Sequence, residues 1–385
     1  MTTHGTADPE FARLRTLLSE RLATGSELGA SICVNIGGRN VVDIWGGYTE
    51  AAKTTPWDKD TLVVVWSCTK VVTAIAAAIL IDRGQLDPEA PVSKYWPEFA
   101  ANGKQDTKIW HLLAHSSGLP QWDQPITIED VYDTKASTEK LAAQKPWYPA
   151  GEMTAYQLFN HGHLIGEVIR RVSGKSFKSF IQDEIAGPLG ADFRLGLPEG
   201  EWGRAAQVVP PPPMELPSGL DKESVLVRAL TNLPIKAEYS ESAGFRGCEI
   251  GGANGFGNAR SLARIGSIVS LMGTVEGRKY LSPSTIREMV KERISGVDAV
   301  LLAKFRFGLG VSLPVPETIS FVPEGNICFW GGWGGSMLVM DLDRGMTISY
   351  TMNKMGQGTM GNENAKAYLD AIYEIVGSKT RTSSM

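Results

Sequence analysis

Strand-forming segments stand at both ends of this chain and helix-forming segments fill the middle, which restricts how it can close. Ala30 to Ile36 and Asn40 to Trp45 are largely apolar runs joined by Gly37-Gly38, a hairpin signal. Leu62 to Trp66 is a third, shorter run. Strand patterns return late, at Phe307 to Leu313, Asn326 to Phe329, Met337 to Asp341 and Met346 to Met352. The first 22 residues read as a helix, with Phe11, Leu14, Leu17, Leu18 and Leu22 at helical spacing, and Glu363 to Val376 closes the chain as an amphipathic helix. The simplest closure puts both ends into one mostly antiparallel sheet with helices on its faces, an α/β (α+β) fold. Residues 1–84 and 226–385 then form a discontinuous sheet domain, and 85–225 a mainly helical insertion lobe. A cleft between two such lobes is a usual place for a small-molecule site.

Bulk properties exclude several classes. A net charge of −4 leaves no broad basic field, so nucleic acid is not an expected partner. The longest apolar run, Val71 to Ile81, is 11 residues, and a membrane span needs roughly 20. The N-terminus carries no apolar signal segment, so a soluble, cytoplasmic protein is expected. Cys33, Cys68, Cys248 and Cys328 form no CxxC and sit near no His at zinc-ligand spacing, so buried free thiols are expected and neither metal nor disulfide framework is.

The chemistry starts at Ser67-Cys68-Thr69-Lys70. A hydroxyl is a poor nucleophile until a base takes its proton. Residues three apart on a helix share a face, so a Ser at the helix start can point at the amine of a Lys one turn later. The helix N-terminus adds N–H groups and partial positive charge toward a developing oxyanion. Burial favours a neutral lysine, which can act as the base. The four-residue pattern alone is weak, since Ser137 and Lys140 repeat it in a polar stretch. Ser67 differs by following an apolar strand and opening an apolar, Ala-rich helix closed at Gly84.

Four blocks in order carry a resemblance: VVVWSCTK at 63–70, HLLAHSSGLP at 111–120, YPAGEMTAYQLFNHGHLIGEVIRRVSGKSFKSFIQDEIAGPLG at 148–190, and FWGGWGGSMLVMD at 329–341. Together they resemble the serine β-lactamase-like superfamily, most of all its family VIII carboxylesterase branch, over about residues 10 to 375. The resemblance implies a β-lactamase/DD-peptidase-like fold and a catalytic set of Ser67, Lys70 and Tyr156. Tyr156 is the implied proton shuttle, with a nearby ammonium expected to lower its pKa. Trp330, Gly331 and Gly332 are the implied substrate-pocket strand, and the N–H groups of Ser67 and Trp333 the implied oxyanion hole.

Two departures narrow the expected substrate. Leu158 stands where lactamases and peptidases of the superfamily usually carry an Asn that holds a substrate amide. Trp330 stands where lactamases usually carry a carboxylate-attracting Lys. Both favour a small to medium ester, cleaved through an acyl-Ser67 intermediate without metal or cofactor. Acyl transfer to an alcohol is the first alternative, and β-lactamase or D-amino-acid peptidase activity the second. A binding protein that keeps the fold without the chemistry is a third. His111 and His115 read as structural, and His161 and His163, two apart on a helix, cannot share a metal. No Gly-x-Ser-x-Gly elbow is present. Oligomeric state is left open.

Overall fold

The computed structural model of the chain describes residues 2–213 and 219–382. Its main sheet has six antiparallel strands in the order Thr3–Ala7, Arg39–Gly47, Gly29–Ile36, Met346–Met352, Met337–Asp341 and Ile327–Gly331. The two ends of the chain meet in the middle, where Gly29–Ile36 pairs with Met346–Met352 in the register Val34 to Ile348 and Ile32 to Tyr350. Both central strands are buried almost throughout, as expected for strands covered on both faces.

The helix Ala259–Ser270 covers one face. Asn258 caps it, its side chain accepting the Ser261 N–H at 2.9 Å while Ser261 Oγ accepts the Asn258 N–H at 3.0 Å. Gly266 lets it approach closely, since a Cβ there would lie 2.7 Å from the Thr347 methyl. Helix Ala12–Thr24 packs against helix Glu363–Thr382. Among the described residues between 85 and 225 the chain is mostly short helices and loops, the longest helix being Asn160–Ser173, and the strand Arg194–Leu195 joins Gly255–Gly257.

Two local readings are corrected. The first residues are not all helical: Thr3–Ala7 is an edge strand paired with Val42 to Gly46, and the helix starts at Ala12. THGTA has no apolar period, so only the neighbouring strand makes it a strand. The segment from Phe307 to Leu313 is not one strand. Lys304–Phe307 pairs with Ile294–Val297, and the chain then turns through Gly310 at φ 77° before Ser312 bridges to Phe329.

Candidate active site

Val63–Val64 pairs with Gly255–Gly257 and leads straight into the turn that carries Ser67. Trp66, the residue before it, sits at φ 45°, a left-handed conformation rare for a bulky side chain. Its ring is held there by Trp333, edge-on at 5.2 Å, and by Phe245 at 5.7 Å. The helix Thr69–Asp82 follows and is buried from Thr69 to Leu80, so its all-round apolar sequence has a packing partner on every side.

Lys70 is 1% exposed and Ser67 8%, so the amine is buried and the serine retains only slight exposure. Lys70 Nζ lies 3.1 Å from Ser67 Oγ, 2.9 Å from the Leu158 carbonyl and 2.8 Å from the Gly252 carbonyl. Burial pushes the amine well below the usual lysine range. The amine is thus surrounded by two main-chain carbonyl oxygens and the Ser67 hydroxyl, which hold it against the serine.

The Tyr156 hydroxyl donates to Ser67 Oγ at 2.7 Å, and Trp330 Nε1–H donates to the Tyr156 oxygen at 3.3 Å. Indole, phenol, serine hydroxyl and amine form one continuous hydrogen-bonded chain, with Ser67 Oγ between Tyr156 and Lys70. Lys70 Nζ also lies 4.7 Å from the Tyr156 ring centre. The expected lowering of the Tyr156 pKa is not found: burial pushes the phenol up, outweighing the hydrogen bonds from Ser67 and Trp330. The phenol therefore keeps its proton, which it places on Ser67 Oγ.

The glycines beside Trp330 have steric reasons. A Cβ on Gly331 would lie 2.1 Å from the Thr359 carbonyl oxygen, and one on Gly332 would lie 2.3 Å from that of Val65, two residues before Ser67. The Gly332 N–H donates to the Ser336 carbonyl at 2.7 Å, which fixes the turn bearing the half-buried Trp333.

Other candidates fall elsewhere. Ser137 Oγ donates to the Asp130 carbonyl at 2.6 Å, and Lys140 pairs with the Asp130 carboxylate at 3.5 Å, so the second Ser-x-x-Lys is a helix-packing element. His111 Nδ1 accepts the Lys108 N–H, and both His163 ring nitrogens face backbone carbonyls. Cys68 is buried, its Sγ 3.8 Å from the Trp330 carbonyl. No group of His, Cys, Asp or Glu among the described residues could hold a metal ion. No described helix is long and apolar enough to cross a membrane. Sequence reasoning missed the backbone carbonyls of Leu158 and Gly252 that flank Lys70, which no side-chain pattern can reveal.

A serine at a helix start, bonded to a buried lysine and a buried tyrosine beside an antiparallel sheet, defines an active-site serine protein. The Beta-lactamase family profile matches residues 14–372, and the chain belongs to that family. It is 30% identical to the esterase/beta-lactamase LipL of Mycobacterium tuberculosis strain ATCC 25618 / H37Rv, over 91% of this chain and 83% of that protein. Its fold matches the crystal structure of a family VIII carboxylesterase with a TM-score of 0.91 and 32% identity, covering 97% of this chain and all of the other. A penicillin-binding protein homolog from Caulobacter crescentus matches with a TM-score of 0.89 and 32% identity, over 97% of this chain and all of the other.

Proposed function

We propose that Ser67, Lys70 and Tyr156 carry out carboxylic ester hydrolysis through an acyl-Ser67 intermediate. The enzyme is a serine hydrolase of the carboxylesterase type. The observation that carries the residue assignment is Ser67 Oγ lying 3.1 Å from the buried Lys70 Nζ and 2.7 Å from the Tyr156 hydroxyl. Lys70 takes the Ser67 proton as Oγ attacks the ester carbonyl carbon. The carbonyl oxygen becomes an oxyanion, for which we assign the N–H groups of Ser67 and Trp333. The C–O bond to the alkoxy group then breaks, and the proton on Lys70 reaches the leaving oxygen through Tyr156. Water attacks the acyl carbon, gives its proton to the Lys70–Tyr156 pair, and Ser67 leaves with a proton restored.

Substrate is assigned to the opening between the sheet domain, residues 1–84 and 226–385, and the helical lobe, residues 85–225. An ester is favoured over a β-lactam because Trp330 offers an indole N–H, already engaged by Tyr156, and no cation for a carboxylate. Gln157 and Leu158 also offer no substrate amide contact: the Gln157 amide binds Ser117 and Leu119, and Leu158 contributes its carbonyl to Lys70. The family VIII carboxylesterase supports an ester substrate, while the name of LipL carries both esterase and beta-lactamase. Replacement of Ser67 by Ala abolishes p-nitrophenyl butyrate hydrolysis and labelling by a fluorophosphonate. Full activity in that variant would refute the assignment.

A further inference from the structure

Tyr156 lies in a stretch, Thr154 to Gln157, that belongs to no helix or strand. Its position must therefore come from groups remote in sequence. His115 supplies two: its carbonyl accepts the Ala155 N–H at 2.9 Å and its Nδ1 accepts the Gln157 N–H at 3.2 Å. The N–H of Tyr156 itself goes to Asp298 Oδ1 at 3.0 Å.

Asp298 stands at the turn of the hairpin formed by Ile294–Val297 and Lys304–Phe307. Its side chain is fully buried. Oδ1 also accepts the N–H groups of Val300 and Leu301, each at 2.9 Å. Three main-chain N–H groups therefore converge on one side-chain oxygen. Two of the three merely shape the hairpin turn; the third reaches across to the catalytic segment. The Ala299 N–H donates to the Thr154 carbonyl at 2.9 Å and ties the same two segments again. The returning strand sets Phe305 and Phe307 against the Trp330 ring, with centres 5.9 and 5.6 Å apart. One hairpin thus holds the main chain of Tyr156 and the indole that donates to its phenol.

We propose that Asp298 is a positioning residue for ester hydrolysis, fixing the Tyr156 main chain so that its hydroxyl stays on Ser67. The inference rests on the assignment of Tyr156 as proton donor. Asp298 touches none of the catalytic side chains, so its loss acts through the placement of the phenol. Misplacing a proton donor slows the chemical steps without removing substrate contacts, which lowers kcat and leaves KM.

Four variants measured on p-nitrophenyl butyrate test this, with folding checked by circular dichroism and thermal melting. Asp298→Ser retains a short acceptor for the turn N–H groups but cannot span to Tyr156. Asp298→Ala removes both functions, Asp298→Asn keeps a reaching acceptor, and Tyr156→Phe is the reference. Expected are losses of about 30-fold in kcat for the Ser and Ala variants with KM within about two-fold, and recovery to within about five-fold by Asn. If Asp298→Ala fails to fold, Asp298→Ser alone carries the test. A folded Asp298→Ser enzyme with kcat within about two-fold of the parent overturns the proposal, as does a loss confined to KM or no recovery by Asn. Full activity in Tyr156→Phe would instead mean that the catalytic assignment itself is wrong, whatever Asp298 does.

Discussion

Replacing Lys70 by Met tests the charge state on which the mechanism depends. In the unfolded chain the amine titrates near the ordinary value of 10.5, and in the fold burial lowers it. Between those two values the unfolded chain binds one more proton than the fold. Stability therefore rises with pH there, by about 1.4 kcal/mol per pH unit for a single proton. Holding the amine neutral in the fold therefore opposes folding below the unfolded value. Lys70→Met removes this cost but leaves the carbonyls of Leu158 and Gly252 without their donor, a loss of about 1–3 kcal/mol each. The two effects oppose each other, so the pH trend is the informative quantity.

The pH trend separates the two charge states. Urea unfolding of parent and variant at pH 7.5 and 8.5 should show the parent gaining about 1.4 kcal/mol on the variant. Other titrating groups, such as Lys104, whose amine burial pushes down to about 8, are common to both proteins and drop out of the difference. Ester hydrolysis by the variant should fall by about 10²–10⁴-fold for loss of the base. A flat stability difference would mean that Lys70 is charged in the fold and cannot be the resting base.

Burial raises the Glu27 carboxyl from 4.5 to about 7, while its Oε1 accepts the Tyr350 and Tyr368 hydroxyls at 2.6 and 3.3 Å. The folded pKa is the higher one, so this contribution is fully present below about pH 4.5 and is lost as pH rises through about 7, some 3 kcal/mol in all. Glu27→Gln should flatten the decline in unfolding free energy between pH 5 and 8; an unchanged slope would show that Glu27 is not its source. Gly332→Ala should push the Val65 carbonyl, and with it the turn before Ser67, because the new methyl would stand 2.3 Å from that oxygen. We expect a fall of about 10²-fold or more in kcat with native circular dichroism, and near-parent kcat would exclude tight packing of the two turns.

Much of the fold could be read locally. Met337–Asp341 and Met346–Met352 occupy the bounds that their patterns predict, short runs rich in apolar and β-branched residues that end up buried on both faces. The helix after Ser67 was equally plain from its Ala-rich sequence. Thr3–Ala7 was not legible, since its conformation is imposed by pairing with Val42 to Gly46. Asp298 was invisible for a related reason: within SGVDAVLLA it reads as a turn residue, and its bond to Tyr156 spans 142 positions.

The sequence alone singled out Ser67 and Lys70 through their strand-to-helix setting and the four resembling blocks, and the three-residue spacing put the two side chains on one helix face. It also determined that Trp330 replaces a cation, since residue identity decides charge. Only the tertiary structure decided the environment of these groups. It brings the carbonyls of Leu158 and Gly252 onto Lys70 Nζ, and burial pushes the amine down and the Tyr156 phenol up. Those are properties of surroundings assembled from distant segments, and desolvation has no signature in local sequence.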